Sequence, residues 1–296
     1  MKNTSDTEKI IRKYYENLWS KPSQIMEREK NPLLGFHYGL YTDGIKNWKD
    51  AAINMNNFVG QYFDFKKNRE NKILDAGCGI GSTALYLAIK HPSTKFYGIS
   101  IAPTEIKYAK KIQIQRRINN CEFVLGNFIE TNFPDNFFDG VYALESFCYA
   151  EDKIKFLKEM GRILKSGGKL VILDGFKQKE IHSSFMNKLY NSFLSRREIR
   201  YLLSLDELNS NLENEEFKDI IIKNLSKENG FVFNFIQLNY PLIVIKYLSD
   251  QLKKIILRKN YKTRKDMDYV WGALVPELIL GINKIIGYYA ISTIKK

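Results

Sequence analysis

The order of apolar and polar positions changes character near residue 72. Before it, two stretches carry apolar residues at turn spacing. The first is residues 5–20, with Ile10, Ile11, Tyr14, Tyr15 and Leu18 on one face; the second is residues 47–63, with Trp48, Ala51, Ala52, Met55, Phe58, Val59 and Tyr62. Each predicts an amphipathic helix, and Asp6 or Thr7 can cap the first. Residues 31–41 between them form a loop rich in aromatics and glycine, containing His37, Tyr38, Gly39 and Tyr41. From Ile73 onward short apolar runs alternate with helical periodicity. Strands are predicted at 72–74, 94–100, 121–125, 138–144 and 169–174, and helices at 82–90, 103–118 and 154–163. That alternation is the pattern of a parallel sheet wrapped by helices. Two further β-rich runs, 217–225 and 288–294, extend the count to seven strands. Helical segments at 176–214 and 229–286 are too long for ordinary connections and read as lids.

The expected fold class is therefore α/β: a Rossmann-like, seven-stranded, mostly parallel sheet with helices on both faces, an N-terminal helical cover and helical lid insertions. The expected organisation is a cover over 1–65, a core over 66–175, and a remainder over 176–296 that completes the sheet and roofs it, all one catalytic unit.

The first strand runs into Asp75-Ala76-Gly77-Cys78-Gly79-Ile80-Gly81, and a helix follows at once. Glycine lets a ligand approach the backbone closely because it has no Cβ, and a strand opening into a helix brings backbone N–H groups near. Asp75 at the strand end would repel a phosphate and suits a cationic amine. A lone Gly-x-Gly-x-Gly is weak evidence, but here other signals accompany it. Gly126-Asn127-Phe128 ends the third strand, residues 133–139 (FPDNFFD) lead into the fourth, Glu145-Ser146 follows it, and residues 161–173 (GRILKSGGKLVIL) build the fifth.

In order and spacing this set resembles class I S-adenosylmethionine (AdoMet) methyltransferases. More narrowly it is similar to the group with γ-tocopherol, sterol and prenyl-diphosphate C-methyltransferases, small-amine N-methyltransferases and cyclopropane-lipid synthases. The resemblance spans residues 30–296 and is strongest over 72–175. It implies that Gly77, Gly79 and Gly81 pack against the methionyl part of AdoMet, with Asp75 near its amine. Asn127 stands where the family often has an Asp that accepts from the adenine amino group. Ser100 stands where many members have an acid for the ribose, leaving a hydroxyl, a backbone group or Glu105 to take that role. Tyr38 resembles a tyrosine that closes over the methionyl carboxylate; an aromatic filler between cover and sheet is the alternative.

Residues past the fourth strand face the methyl acceptor, because ligands collect at the carboxyl ends of parallel strands. Glu145, Tyr149 and His37 are the catalytic candidates. Glu145 with Phe147, Tyr149, Tyr38 and Tyr41 suits an alkene that becomes a carbocation. Relatives commonly have His where Tyr149 stands, which weakens any case for deprotonating an alcohol. His37 reads as either a turn residue or a wall of the site; His91 and His182 read as surface residues.

Composition changes this picture little. The chain has 296 residues and formal net charge +13, with lysines scattered rather than gathered with aromatics. A nucleic-acid partner is not expected: no Asn/Asp-Pro-Pro-aromatic tetrad follows the fourth strand. Cys78, Cys121 and Cys148 lack metal-ligand spacing; with a polar N-terminus and no run of eighteen apolar residues, the expectation is a reduced, cytoplasmic protein. The insert holds Tyr240, Pro241, Tyr247, Tyr269 and Trp271, which favour a greasy substrate. Lys253, Lys254, Arg258, Lys259, Lys262, Arg264 and Lys265, with Arg196, Arg197 and Arg200, could take a diphosphate or touch a membrane surface, a solvated face being the plainer reading. No metal site is expected, and Mg²⁺ enters only with a diphosphate substrate. The leading expectation is C-methylation of an isoprenoid-type alkene; N-methylation of a small amine is the rival.

Overall fold

In the computed structural model the residues described are 5–19, 33–35, 37–42, 44–65, 71–229 and 275–296. The expectations for Tyr240 to Lys265, for Tyr269 and Trp271, and for the side chain of Leu18 lie outside the described residues.

Seven strands form one sheet in the order β3-β2-β1-β4-β5-β7-β6. They are β1 (Asn71–Ala76), β2 (Thr94–Ser100), β3 (Cys121–Leu125), β4 (Phe138–Leu144), β5 (Leu164–Lys177), β6 (Phe217–Asn224) and β7 (Ile286–Lys295). The first five pair in parallel, and β7 runs antiparallel to both β5 and β6. The described helices are α1 (Asp6–Trp19), α2 (Trp48–Gly60), α3 (Ser82–Lys90), α4 (Pro103–Gln115), α5 (Lys153–Ile163), α6 (Ser184–Arg196), α7 (Leu205–Asn214) and α8 (Val275–Ile282).

Central strands are apolar on both faces because helices cover both. One face packs Met55, Val59, Leu85, Phe96 and Phe123; the other packs Leu74, Phe138, Phe156, Leu170 and Phe176. Helix starts are fixed by side chains: Asn47 caps α2, Asp152 caps α5, and Ser204 with Glu207 forms a reciprocal capping box on α7. A third apolar cluster joins the acceptor-side lids, with Phe193 and Leu194 of α6 against Leu280 of α8.

Several boundaries shift by a few residues from expectation, and two of the shifts have a clear physical reason. β5 begins at Leu164 rather than 169, because Lys165-Ser166-Gly167-Gly168 is an irregularity within the strand: Phe138 pairs with Leu164, but Gly140 pairs with Lys169. Helix α4 stops at Gln115 rather than 118. Arg117 turns left-handed (φ 55°), and the N–H of Ile118 donates back to the Gln113 carbonyl, a terminating geometry that needs no glycine.

Strand order also locates the site. The chain steps from β1 to β2 and β3 on one side and to β4 and β5 on the other. A crevice opens at the carboxyl ends of β1 and β4, where the direction of winding reverses.

Candidate active site

That crevice is the mouth of a cavity of about 1510 Å³. Single-ligand pockets usually fall between roughly 300 and 1,000 Å³, so this one has room for two. Moving outward along the strand ends, it is lined by Glu145 after β4, Asp75 and the glycine loop after β1, Ser100 and Glu105 after β2, and Asn127 after β3.

The loop turns on three left-handed glycines: Gly77 (φ 94°), Gly79 (φ 52°) and Gly81 (φ 77°). They do different work. A Cβ on Gly77 would stand 2.3 Å from the Ser146 Cβ, and one on Gly81 2.5 Å from the Phe123 ring, so these two close protein against protein. At Gly79 the nearest atom is Glu105 Oε1 at 3.7 Å, so this glycine opens into the cavity. The N–H groups of Gly77 and Cys78 both donate to the Ile99 carbonyl, and that of Gly81 to the Cys78 carbonyl. The expectation that the loop offers its amides to a ligand is corrected to that extent. What faces the cavity is the start of α3, capped by Gly81 with no side-chain bond and lined by Ser82 and Thr83. A helix N-terminus of this kind favours a carboxylate.

Asp75 is 3 % exposed and accepts a hydrogen bond from the Tyr142 hydroxyl at 2.9 Å. Burial pushes its pKa up to about 7, against the pull of that bond. Ser100 donates to Glu105 Oε2 at 2.6 Å and accepts from the Ala102 N–H, so the serine positions the glutamate. A carboxylate is thus held at the end of β2 by the first turn of α4, at the position where sequence reasoning left Glu105 as one of three candidates.

On the acceptor side Glu145 sits in the left-handed region (φ 54°), a conformation that costs a non-glycine residue roughly 1–3 kcal/mol. Its Oε1 accepts from the Tyr38 N–H at 2.7 Å and the Tyr288 hydroxyl at 3.0 Å. Burial away from bulk water pushes its pKa up to about 8, and the neighbouring Asp174 adds to the shift. Asp174 is also raised by burial; its oxygens accept from the Cys148 and Gly175 N–H groups at 2.8 Å. Lys153 pins the same turn from the other side, donating to the Cys148 and Ala150 carbonyls at 2.8 and 2.7 Å.

The other expected residues are brought to the cavity in different roles. Tyr149 lies in the 3-10 turn Phe147–Tyr149, edge-on to Tyr15 of α1 at 5.6 Å, and burial holds its phenol well above its ordinary pKa. His37 is buried, with Nδ1 2.9 Å from the Tyr38 carbonyl and Nε2 3.0 Å from Asn56 Oδ1, which also accepts from Thr83. Both ring nitrogens are committed to the protein, so His37 braces the wall of the site. The Tyr38 hydroxyl donates to Glu277 at 2.9 Å and also receives a bond from Arg197, which pairs with Glu277. Tyr38 therefore lines the cavity while linking Arg197, just past α6, to Glu277 of α8. Arg200 lies 3.8 Å from Glu151 and Arg196 is exposed.

Helix α1, expected only as a cover, is part of the site. Glu151 accepts from Ser5 and Thr7, Glu16 accepts from the N–H and hydroxyl of Thr104, and Glu8 accepts from Asn127. Arg197, read from the sequence as a diphosphate or surface contact, is instead paired with Glu277. Glu8, Asp174 and Glu277 were missed by sequence reasoning. Of these Asp174 alone had a usable signal, its place at the carboxyl end of a strand beside β4.

Among the described residues no helix is long and apolar enough to cross a membrane. Residues 74–172 match a family described as a methyltransferase domain. Ajmaline N-methyltransferase of Rauvolfia serpentina is 30 % identical over 145 residues, 46 % of this chain and 50 % of that protein. 24-methylenesterol C-methyltransferase 3 of Arabidopsis thaliana is 30 % identical over 183 residues, 54 % of this chain and 50 % of that one. The chain spans about half the length of these curated relatives. A solved geranyl diphosphate C-methyltransferase from Streptomyces coelicolor A3(2) superposes with a TM-score of 0.73 at 14 % identity, covering 99 % of both chains, which establishes the shared fold. The chain thus carries a methyltransferase domain over residues 74–172, set in a seven-stranded sheet with a glycine loop, and is similar there to S-adenosylmethionine-dependent methyltransferases of class I.

Proposed function

We propose that this chain transfers a methyl group from AdoMet to a small, mostly apolar metabolite, with C-methylation of an isoprenoid-type alkene as the leading reaction. One observation carries the acceptor assignment. Glu145, a carboxyl in a strained backbone conformation that accepts from the Tyr38 N–H and the Tyr288 hydroxyl, stands on the opposite side of the switch point from the cofactor-side groups. AdoMet supplies an electrophilic methyl and a positive charge that passes to the acceptor.

The residues present fit that cofactor. Asp75 is a buried carboxyl with no ion pair among the described residues, the partner an α-amine needs. Gly79 leaves room for close approach, the start of α3 receives a carboxylate, and Glu105, fixed by Ser100, accepts from ribose hydroxyls. The strand order supports laying the base toward β3 and the methyl toward β4.

Glu145 stabilises positive charge on the acceptor and takes the proton whose loss restores the double bond. Its raised pKa keeps it a competent base near neutrality, and a cation beside it favours the ionised form. Tyr288, edge-on to Tyr38, places an aromatic ring and its hydroxyl beside Glu145; Tyr149 and His37 shape the wall. Holding methyl and acceptor in line at near-contact distance supplies much of the rate.

A second reading, N-methylation of a small amine, is favoured by the charge of the cavity. Among the described residues eight carboxyl groups and three cationic side chains line it, in a chain of net charge +13. On the acceptor side Arg197 is already paired with Glu277, which disfavours a diphosphate on the acceptor and the Mg²⁺ that would accompany it.

The test is incubation with methyl-labelled AdoMet over panels of prenyl alcohols, sterols, prenyl diphosphates and lipophilic amines, with mass spectrometry of the products. Label on carbon of a phosphate-free alkene supports the leading reading, and label on nitrogen the second. Tight AdoMet binding with transfer only to diphosphates would overturn the acceptor assignment.

A further inference from the structure

The end of β3 carries a neutral amide whose two ends are both engaged. Asn127 Oδ1 accepts from the Ile129 N–H at 3.1 Å, and its Nδ2 donates to Glu8 Oε2 at 3.0 Å. The carboxylate at this end of the cavity therefore comes from α1, 119 residues earlier in the chain. Glu8 is held there rather than merely resting there. Its other oxygen takes Arg12 one turn on at 2.8 Å, and α1 is fastened on either side by Ser5 and Thr7 to Glu151 and by Glu16 to Thr104. The Glu8 side chain is 15 % exposed and lines the cavity with Ile101, Asn127 and Phe128.

We propose that Glu8 is a cofactor-binding residue whose carboxylate accepts the exocyclic amino group of the adenine. This rests on the methyltransferase reading and deepens it. The strand order puts the base at the β3 end, and an amino group there needs an acceptor. The Asn127 oxygen is neutral and already takes Ile129, which leaves it one lone pair, whereas the ionised Glu8 carboxylate has about four acceptor positions, of which Asn127 and Arg12 occupy two, and its charge makes it the stronger acceptor. Asn127 then acts as a positioning residue that aims Glu8. Helix α1 is part of the binding site, and the acid is supplied by the cover rather than by the sheet.

The experiment is calorimetric titration with S-adenosylhomocysteine and with S-inosylhomocysteine, in which an oxo group replaces the amino group. The unsubstituted chain is expected to prefer the adenosyl ligand by tenfold or more. Glu8→Gln is expected to cut that preference at least fivefold, and adding Asn127→Asp to Glu8→Gln to restore most of it. Should Glu8→Gln not fold, Glu8→Asp keeps the charge, withdraws it by one methylene, and reads the same ratio. A preference unchanged within twofold in Glu8→Gln, even with both affinities lowered, means that Glu8 only docks α1 and overturns the proposal while sparing the methyltransferase reading. An unsubstituted chain that binds neither ligand overturns both.

Discussion

Glu145→Gln should make the ligand-free protein more stable at alkaline pH while removing turnover. The glutamate ionises at 4.5 when solvated and at about 8 in the fold, principally because burial disfavours its charged form. Between those values the unfolded chain has lost the proton and the folded chain retains it. The folded state then binds more protons, so stability falls as pH rises through that window. At about 1.36 kcal/mol per pH decade the full window amounts to about 5 kcal/mol, and water inside the cavity reduces it to roughly 2–4 kcal/mol. Glutamine is isosteric, keeps an oxygen to accept from the Tyr38 N–H and the Tyr288 hydroxyl, and has no proton to lose. Urea unfolding of both proteins without ligand at intervals from pH 4.5 to 9 isolates the effect, because groups common to both cancel in the difference. The difference should be near zero at pH 4.5, grow in favour of Glu145→Gln, and level off above about pH 8. A flat difference, or a variant less stable at pH 8.5, would refute the placement of an ionisable Glu145 in this environment.

Asp75 gives the corresponding prediction for binding. Its pKa of about 7 means that AdoMet affinity should rise as pH climbs from 6 to 8 and that Asp75→Asn should flatten the dependence and weaken affinity tenfold or more by calorimetry. Gly79→Asn, a residue tolerant of the left-handed region, should keep the unfolding midpoint within a few degrees yet abolish AdoMet binding; Gly81→Ala, whose Cβ meets Phe123 at 2.5 Å, should instead cost roughly 1–3 kcal/mol in denaturant titration. Lys153→Met strands the carbonyls of Cys148 and Ala150, so it should lose roughly 2–4 kcal/mol of stability and raise KM for the acceptor more than that for AdoMet.

The parts of the fold legible in the sequence were those in which one local pattern decides the outcome. Residues 82–90, 94–100, 121–125 and 138–144 were read at their observed bounds, since each is a clean apolar run or turn-spaced stripe with punctuation at both ends. The start of β5 was not, because a glycine pair reads as a stop and only pairing with β4 reveals a bulge. Likewise Asp75 and Glu145 were legible as acids at strand ends. Glu8 was not: on α1 it looks like any acid on a solvated face, and periodicity gives the apolar face without naming the partner of the polar one. Glu277 was hidden for the same reason, and so was the partner of Arg197, since the two meet only when α6 and α8 pack together.

What separates the site from the rest of the molecule is how its carboxyls are partnered. Glu159 shows the structural use of an acid. Although burial opposes it, bonds from Arg162 and Thr131 hold its pKa below the ordinary value, so it stays ionised. Asp75, Glu145 and Asp174 are also buried and also hydrogen-bonded, but to hydroxyls and backbone amides, and each is shifted the other way. A cation bonded to any of the three would oppose the effect of burial, as Arg162 does at Glu159. The shifts therefore mark buried carboxyls to which no cation is hydrogen-bonded among the described residues, although Arg197 and Lys153 lie near enough to Glu145 and Asp174 to pull against burial, and two of them, Asp75 and Glu145, lie on adjacent strand ends across the switch point. A ligand with an ammonium near one and a transferable positive charge near the other supplies what is missing at both. The same argument weighs against an acceptor that brings negative charge to Glu145, so the acceptor should be neutral or cationic at the atom that receives the methyl.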